Sequence, residues 1–182
     1  MRKTALIVVD MLNTYEHADA EALTRSVGEV LPNIASLIER ARSEGVEVIY
    51  VNDNYGVSNQ GRSELVERVS AGPHGDLVQP IVPDDEASFV VKARHSIFYE
   101  TPLEYLLRSA EIGRLVLVGQ VTEQCILYSA LDAYIRHFEV VVPPDAVAAI
   151  HPELHEAALE MMRINMDAEL APVAEIRLSQ RR

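Results

Sequence analysis

The chain has 182 residues, the length of one domain. Its 48% hydrophobic and 24% charged residues exclude intrinsic disorder and collagen-like repeats. Sixteen Lys and Arg against 28 Asp and Glu leave a net charge of −12, which argues against nucleic acid or an anionic membrane as a partner. The one cysteine excludes an internal disulfide and fits a reducing compartment.

Ala5-Leu-Ile-Val-Val9 is a β-prone run that stops at Asp10. It is too short for a signal-peptide core or a membrane span, so the expectation is a soluble cytoplasmic protein. Its hydrophobicity is continuous, as in a strand covered on both faces of a parallel sheet. A helix is expected to open at Leu31-Pro32-Asn33, with Ile34, Leu37, Ile38 and Ala41 on one face and Gly45 as its stop. Val46 to Val51 reads as the second strand and Asn52 to Gly61 as a loop. A weaker helix is expected over Arg62 to Ser70, and a loop over Gly72 to Asp85. Ser88 to Lys92 reads as the third strand, and Pro102 to Arg108 as a helix with Leu103, Leu106 and Leu107 on one face. Arg114 to Gly119 is the fourth strand. The helix Glu123 to His137 follows, with Leu127, Ala130, Leu131 and Tyr134 in register. Phe138 to Val142 is the fifth strand, stopped by Pro143-Pro144. Pro152 to Met166 is a helix packing Leu154, Ala157, Ala158, Met161 and Met162 inward. Ala174 to Leu178 is read as the last strand, and Gln180-Arg181-Arg182 as a fraying end.

Strands alternating with helices predict a single α/β domain over 1–182. Its expected form is a three-layer α/β/α Rossmann-like fold with a mostly parallel six-stranded sheet. Ligands of such sheets bind beyond the carboxyl ends of the strands. Three reactive residues stand at those ends: Asp10 after the first strand, Lys92 at the end of the third and Cys125 after the fourth. Each alone has a plainer reading, as a turn residue, a solvated cation or an inert buried thiol. Their coincidence on one sheet edge raises the functional one.

Thr122 reads as an N-cap, which puts Cys125 in the first turn of a helix. The nucleophilic form of cysteine is the thiolate, with a free pKa of about 8.5. Lowering it by about two units takes about 2.7 kcal/mol, whereas a helix N-terminus supplies roughly 0.3–1 kcal/mol. A cation such as Lys92 is therefore needed as well. Asp10 is placed to take the thiol proton and return it to a leaving amine.

Ala5-Leu-Ile-Val-Val-Asp-Met-Leu-Asn13, Lys92-Ala-Arg-His-Ser-Ile-Phe98 and Gly119-Gln-Val-Thr-Glu-Gln-Cys125 together resemble the isochorismatase-like cysteine hydrolase superfamily. That superfamily includes nicotinamidases and N-carbamoylsarcosine amidohydrolases. The resemblance spans nearly the whole chain. It implies a catalytic triad of Asp10, Lys92 and Cys125 and a cis peptide at Gln120–Val121. It also implies an oxyanion hole formed by the Val121 and Cys125 N–H groups. Tyr15 and Tyr55 are candidates for lining the substrate pocket, and a homo-oligomer, dimer or tetramer, is expected.

Nicotinamidase-like members hold a metal with an Asp and histidines after the second strand. Here Asp53 matches the carboxylate, but Tyr55 stands in place of a histidine. His74 lies between Pro73 and Gly75 in what reads as a turn. His151 and His155 are spaced i, i+4 without a third ligand. No metal and no cofactor is expected, and no Gly-x-Gly-x-x-Gly or P-loop is present. The expected activity is cleavage of a small-molecule amide C–N bond through a Cys125 thioester. The alternatives are hydrolysis of a non-amide substrate such as a vinyl ether, and a non-catalytic binding domain of the same fold.

Overall fold

A computed structural model describes residues 2–56, 61–84 and 86–179. The strands are β1 (Lys3–Val9), β2 (Glu47–Asp53), β3 (Ser88–Lys92), β4 (Ile112–Gln120), β5 (Glu139–Val141) and β6 (Val147–Ala148). The helices are α1 (Ala20–Ser43), α2 (Arg62–Ser70), α3 (Gly75–Val78), α4 (Leu103–Ser109), α5 (Leu127–Ile135) and α6 (Pro152–Asn165). The strands form one six-stranded sheet in the order β3-β2-β1-β4-β5, with β6 also pairing β4. Every pairing is parallel.

Alternation along the strands sorts the two cores. Leu6, Val8, Tyr50, Val116 and Val118 face one side, under α1, α2 and α3. Ala5, Ile7, Val9, Ile49, Val51, Leu115 and Leu117 face the other, under α4, α5 and α6. The sheet is covered on both faces, which is why β1 and β4 carry unbroken apolar runs.

The structure corrects several expectations. The helix expected from Leu31 begins at Ala20, and Pro32 lies inside it. An interior proline costs about 3 kcal/mol. Leu23, Val27, Leu31, Ile34, Leu37, Ile38 and Ala41 are all buried on one face, at roughly 1.5–3 kcal/mol for each large side chain. That burial carries the helix through the proline. Asn52 and Asp53, read as loop, extend β2 by pairing with Val91 and Lys92. Of the rest of that loop, residues 57–60 fall outside the described residues, as do Asp85 and the last three residues of the chain. The stretch Gly72–Asp85 contains the short helix α3.

Ala174–Leu178 is not a strand, and the sixth strand is Val147–Ala148. Ile176 and Leu178 are buried, as strand residues would be. Carbonyls of this segment, however, accept hydrogen bonds from arginine side chains rather than from a neighbouring strand. Arg40 donates to the carbonyls of Val173 and Ile176, and Arg114 to that of Arg177. On α5 the inward residues are Ser129, Ala130 and Ala133, while Leu131 and Tyr134 are exposed. On α6 Ala158, Leu159 and Met162 point inward, and Leu154 and Met161 do not. On α4 Leu103 and Leu107 are buried and Leu106 is exposed.

Candidate active site

The chain runs outward from β1 to β2 and β3, then returns to β4 on the other flank of β1. The carboxyl ends of β1 and β4 therefore border the topological switch point, where open parallel sheets bind ligands. Asp10 follows β1, Asp53 and Lys92 end β2 and β3 as register partners, and Gln120 ends β4. Gly119 permits this convergence. Its φ is +117°, and a Cβ there would stand 2.2 Å from the Val9 carbonyl oxygen.

Asp10 has a φ of 55°, an uncommon left-handed conformation for a residue other than glycine. It is fixed at every polar atom. Its N–H donates to the Val51 carbonyl at 2.9 Å, and its carbonyl accepts Gln120 Nε2 at 2.5 Å. Oδ1 accepts the Asp53 N–H at 2.7 Å, and Oδ2 lies 2.8 Å from Lys92 Nζ. The ammonium of Lys92 also lies 3.5 Å from Asp53 Oδ2 and 3.5 Å from Cys125 Sγ. Lys92 is 1% exposed, Asp10 6% and Cys125 9%. Asp10, Lys92 and Cys125 thus form one nearly dry cluster with the ammonium at its centre.

The Gln120–Val121 peptide is cis. Val121 precedes a single π-helical turn, Thr122–Ile126, that leads into α5. This replaces the capped α-helix expected at Glu123. Thr122 lies inside the turn, and its hydroxyl donates to the Ala148 carbonyl rather than capping it. π-Turns widen a helix by one residue and are frequent at functional sites. Here the turn carries Cys125.

The charges differ from expectation in one respect. Burial pushes the Cys125 thiol up and the neighbouring Asp10 carboxylate adds to this, while Lys92 opposes both. The resting group is a thiol, not the pre-formed thiolate that a helix terminus and a lysine would create. Burial also raises Asp10, against the lowering effects of Lys92, Cys125 and the Asp53 N–H. For Lys92 burial acts downward, but Asp10, Cys125 and Asp53 together hold the ammonium above its ordinary range. The site therefore holds a carboxylate of raised proton affinity, a protonated thiol and a fixed ammonium.

Tyr15 and Tyr55 also have left-handed backbone, with φ of 58° and 49°. Tyr15 is buried, its hydroxyl 3.5 Å from Gln120 Oε1, and burial raises its phenol to about 12. Tyr55 donates its hydroxyl to the Leu12 carbonyl at 3.0 Å, and burial holds its phenol well above the ordinary range. Both support the loop that follows Asp10. Asn52 clamps the same loop from β2, accepting the Leu12 N–H at 2.9 Å and donating to the Leu12 carbonyl at 3.0 Å.

Asp53 does not fit a metal centre. Its Oδ2 faces Lys92 and its Oδ1 accepts the Tyr55 N–H at 2.7 Å. Among the described residues no group of three His, Cys, Asp or Glu side chains is arranged to hold a metal ion. His74 packs edge-on against Tyr15, His151 precedes α6, and His155 Nδ1 meets the Thr122 hydroxyl at 3.0 Å.

Sequence reasoning did not single out two further residues. Gln120 bridges the end of β4 to the Asp10 carbonyl, and His95 Nδ1 lies 3.8 Å from Cys125 Sγ. Both stand inside the motif segments, but nothing in their spacing says which side chains meet across the sheet edge.

A parallel α/β sheet with a buried Asp–Lys–Cys cluster at its switch point defines a hydrolase-type scaffold. The profile of the isochorismatase domain matches residues 4–176, and the chain belongs to that family. It is 33% identical to the uncharacterized isochorismatase family protein YaaI of Bacillus subtilis, over 94% of this chain and 95% of that protein. It is 32% identical to the ureidoacrylate amidohydrolase RutB of Methylorubrum extorquens, over 86% of this chain and 74% of that one. Its fold superposes on N-carbamoylsarcosine amidase from Thermoplasma acidophilum with a TM-score of 0.72 and 27% identity, covering 96% of this chain and 99% of that one. The chain is thus an isochorismatase-family hydrolase with amidohydrolases among its relatives. Among the described residues no helix is long and apolar enough to cross a membrane.

Proposed function

We propose that the protein is a cysteine amidohydrolase acting on a small molecule, with Asp10, Lys92 and Cys125 as its catalytic residues. The observation that carries this reading is the Lys92 ammonium, 2.8 Å from Asp10 Oδ2 and 3.5 Å from Cys125 Sγ in a buried cluster. A cation there stabilises negative charge developing on sulfur. The buried carboxylate is a stronger base than a solvated one.

The reaction takes two stages. In the first, Cys125 Sγ bonds to the amide carbonyl carbon as its proton passes to Asp10. The tetrahedral oxyanion accepts hydrogen bonds from the Val121 and Cys125 N–H groups. The C–N bond then breaks, and Asp10 gives its proton to the departing nitrogen. In the second stage water hydrolyses the thioester, releasing the acid and the thiol.

The test is a panel of small amides and carbamoyl compounds turned over by wild type, Cys125→Ala and Cys125→Ser. Acid-quenched samples are read by intact mass. The expected result is loss of at least about 100-fold in kcat/KM in both variants, with an acyl adduct on wild type alone. Full turnover by Cys125→Ala would remove the nucleophile and favour an isochorismatase-type reaction on a non-amide substrate. No turnover of any panel member, with no adduct, would favour the binding-domain reading.

A further inference from the structure

His95 stands on the segment after β3, three residues beyond Lys92, and no step above uses it. Unlike Asp10 and Lys92, it is exposed. Its Nδ1 approaches Cys125 Sγ to 3.8 Å, within range for a contact to sulfur. The imidazole packs on Tyr128 of α5, ring centroids 5.5 Å apart at 49°. The backbone just beyond it is pinned to the same helix. Ser96 Oγ donates to Asp132, and the Ile97 N–H donates to Ser129 Oγ at 3.1 Å. The ring is held beside the sulfur by α5 and by its own strand end. The titratable groups in contact with this arrangement are Cys125, Tyr128 and Asp132, with Lys92 behind the sulfur.

We infer that His95 is a further catalytic residue, the general base for hydrolysis of the Cys125 thioester. This rests on the cysteine amidohydrolase reading. Once the amine has left, Asp10 is again a carboxylate, but it is buried, whereas His95 is exposed. His95 is the exposed neighbour of the sulfur, so water that reaches the thioester from solvent meets the imidazole. With its proton on Nε2, His95 offers the Nδ1 lone pair to that water. Water gives one proton to Nδ1 while its oxygen bonds to the acyl carbon. The tetrahedral intermediate collapses, the C–S bond breaks, and the sulfur takes the proton back from the imidazolium. The carboxylic acid is released, and both His95 and the thiol return to their starting states.

The experiment uses p-nitrophenyl acetate as acyl donor, since it forms the acetyl thioester without needing the natural amide. The chain's single cysteine makes any acetyl thioester unambiguous. Release of p-nitrophenolate reports acylation, and decay of the acetyl adduct by intact mass reports hydrolysis. The variants are His95→Phe, which keeps a ring against Tyr128, and His95→Ala, with circular dichroism to check folding. The expected result is acylation within about 3-fold of wild type and hydrolysis slowed by about 100-fold or more, so that the adduct accumulates. Added imidazole should restore hydrolysis in His95→Ala and leave wild type unchanged. Unaltered hydrolysis in either folded variant would overturn the role of His95 while leaving Cys125 in place. Equal losses in both steps would also overturn it, assigning His95 to acylation or to structure. Failure of wild type to form any adduct at Cys125 would bring down the cysteine reading and this inference together.

Discussion

Burial is the largest influence on each of the three charged or chargeable groups of the cluster, and its sign differs with the group. It raises Asp10 and Cys125 because it disfavours their anions, and it works against the Lys92 cation. For Lys92, Asp10, Cys125 and Asp53 win against burial, and the ammonium persists past its ordinary value of 10.5. Lys92 therefore contributes no titration to activity near neutrality. Nor does Cys125, whose thiol keeps its proton there. Only Asp10 changes state on the acid side. In the proposed reaction, as pH falls through the raised pKa of Asp10 its carboxylate is protonated and attack on the amide fails. The expected profile of kcat/KM is one acid limb centred above the ordinary carboxylate value of 3.8, followed by a plateau through pH 9. A limb at or below 3.8 would take the base role from Asp10. A rise between about pH 8 and 9, the range of a free thiol, would show attack by a pre-formed thiolate instead.

The elements bring these residues together only because β1 and β4 approach more closely than side chains allow. Gly119→Ala would drive a Cβ into the Val9 carbonyl at a φ of +117°. Backbone on both sides leaves nothing flexible to yield. The expected outcome is a loss of about 2 kcal/mol or more in urea unfolding, with activity lost even in the folded fraction. A stable, active Gly119→Ala would show that the sheet can open there at no cost. This glycine was in view as the end of a strand, but its necessity was not. Sequence shows which residues end strands, not how near two strands pass. The same limit explains what else was legible. β3 and α2 have the predicted bounds because a polar residue or a glycine breaks an apolar pattern at each end. The first half of α1 was missed although Leu23, Val27 and Leu31 recur every four residues, because Pro32 reads more naturally as a start. β6 is two residues long and exists through its pairing with β4, so no local pattern announces it. Asp10 and Lys92 could be nominated because they stand at strand ends, and Cys125 because it closely follows one. His95 and Gln120 act sideways across that edge, and only the folded geometry relates them to the sulfur and to Asp10.

At the scale of the whole molecule, the surplus of 28 acidic over 16 basic side chains sets how stability responds to salt. Two opposing effects operate. Added salt weakens ion pairs such as Arg42–Asp84 at 2.8 Å and Arg163–Glu160 at 2.6 Å. It also relieves repulsion among the excess carboxylates. Distance decides between them. The screening length is about 30 Å at 0.01 M and about 8 Å at 0.15 M. Pairs in contact lie well inside both lengths and lose little, and exposed pairs are worth only about 0–1 kcal/mol to begin with. Unpaired carboxylates repel across the molecule, at separations that the shorter length screens and the longer one does not. Relief of about 1 kcal/mol moves Tm by roughly 2–4 °C for a domain of this size. Raising sodium chloride from about 0.01 to about 0.15 M at pH 7 should therefore raise Tm by about 2 °C or more. Chloride is the suitable salt, because sulfate would strengthen apolar burial independently of charge. The effect should shrink as pH is lowered toward 5 and carboxylates begin to take up protons, since the repulsion being screened is then smaller. A Tm that falls with chloride at pH 7 would mean that the contact pairs outweigh the net charge.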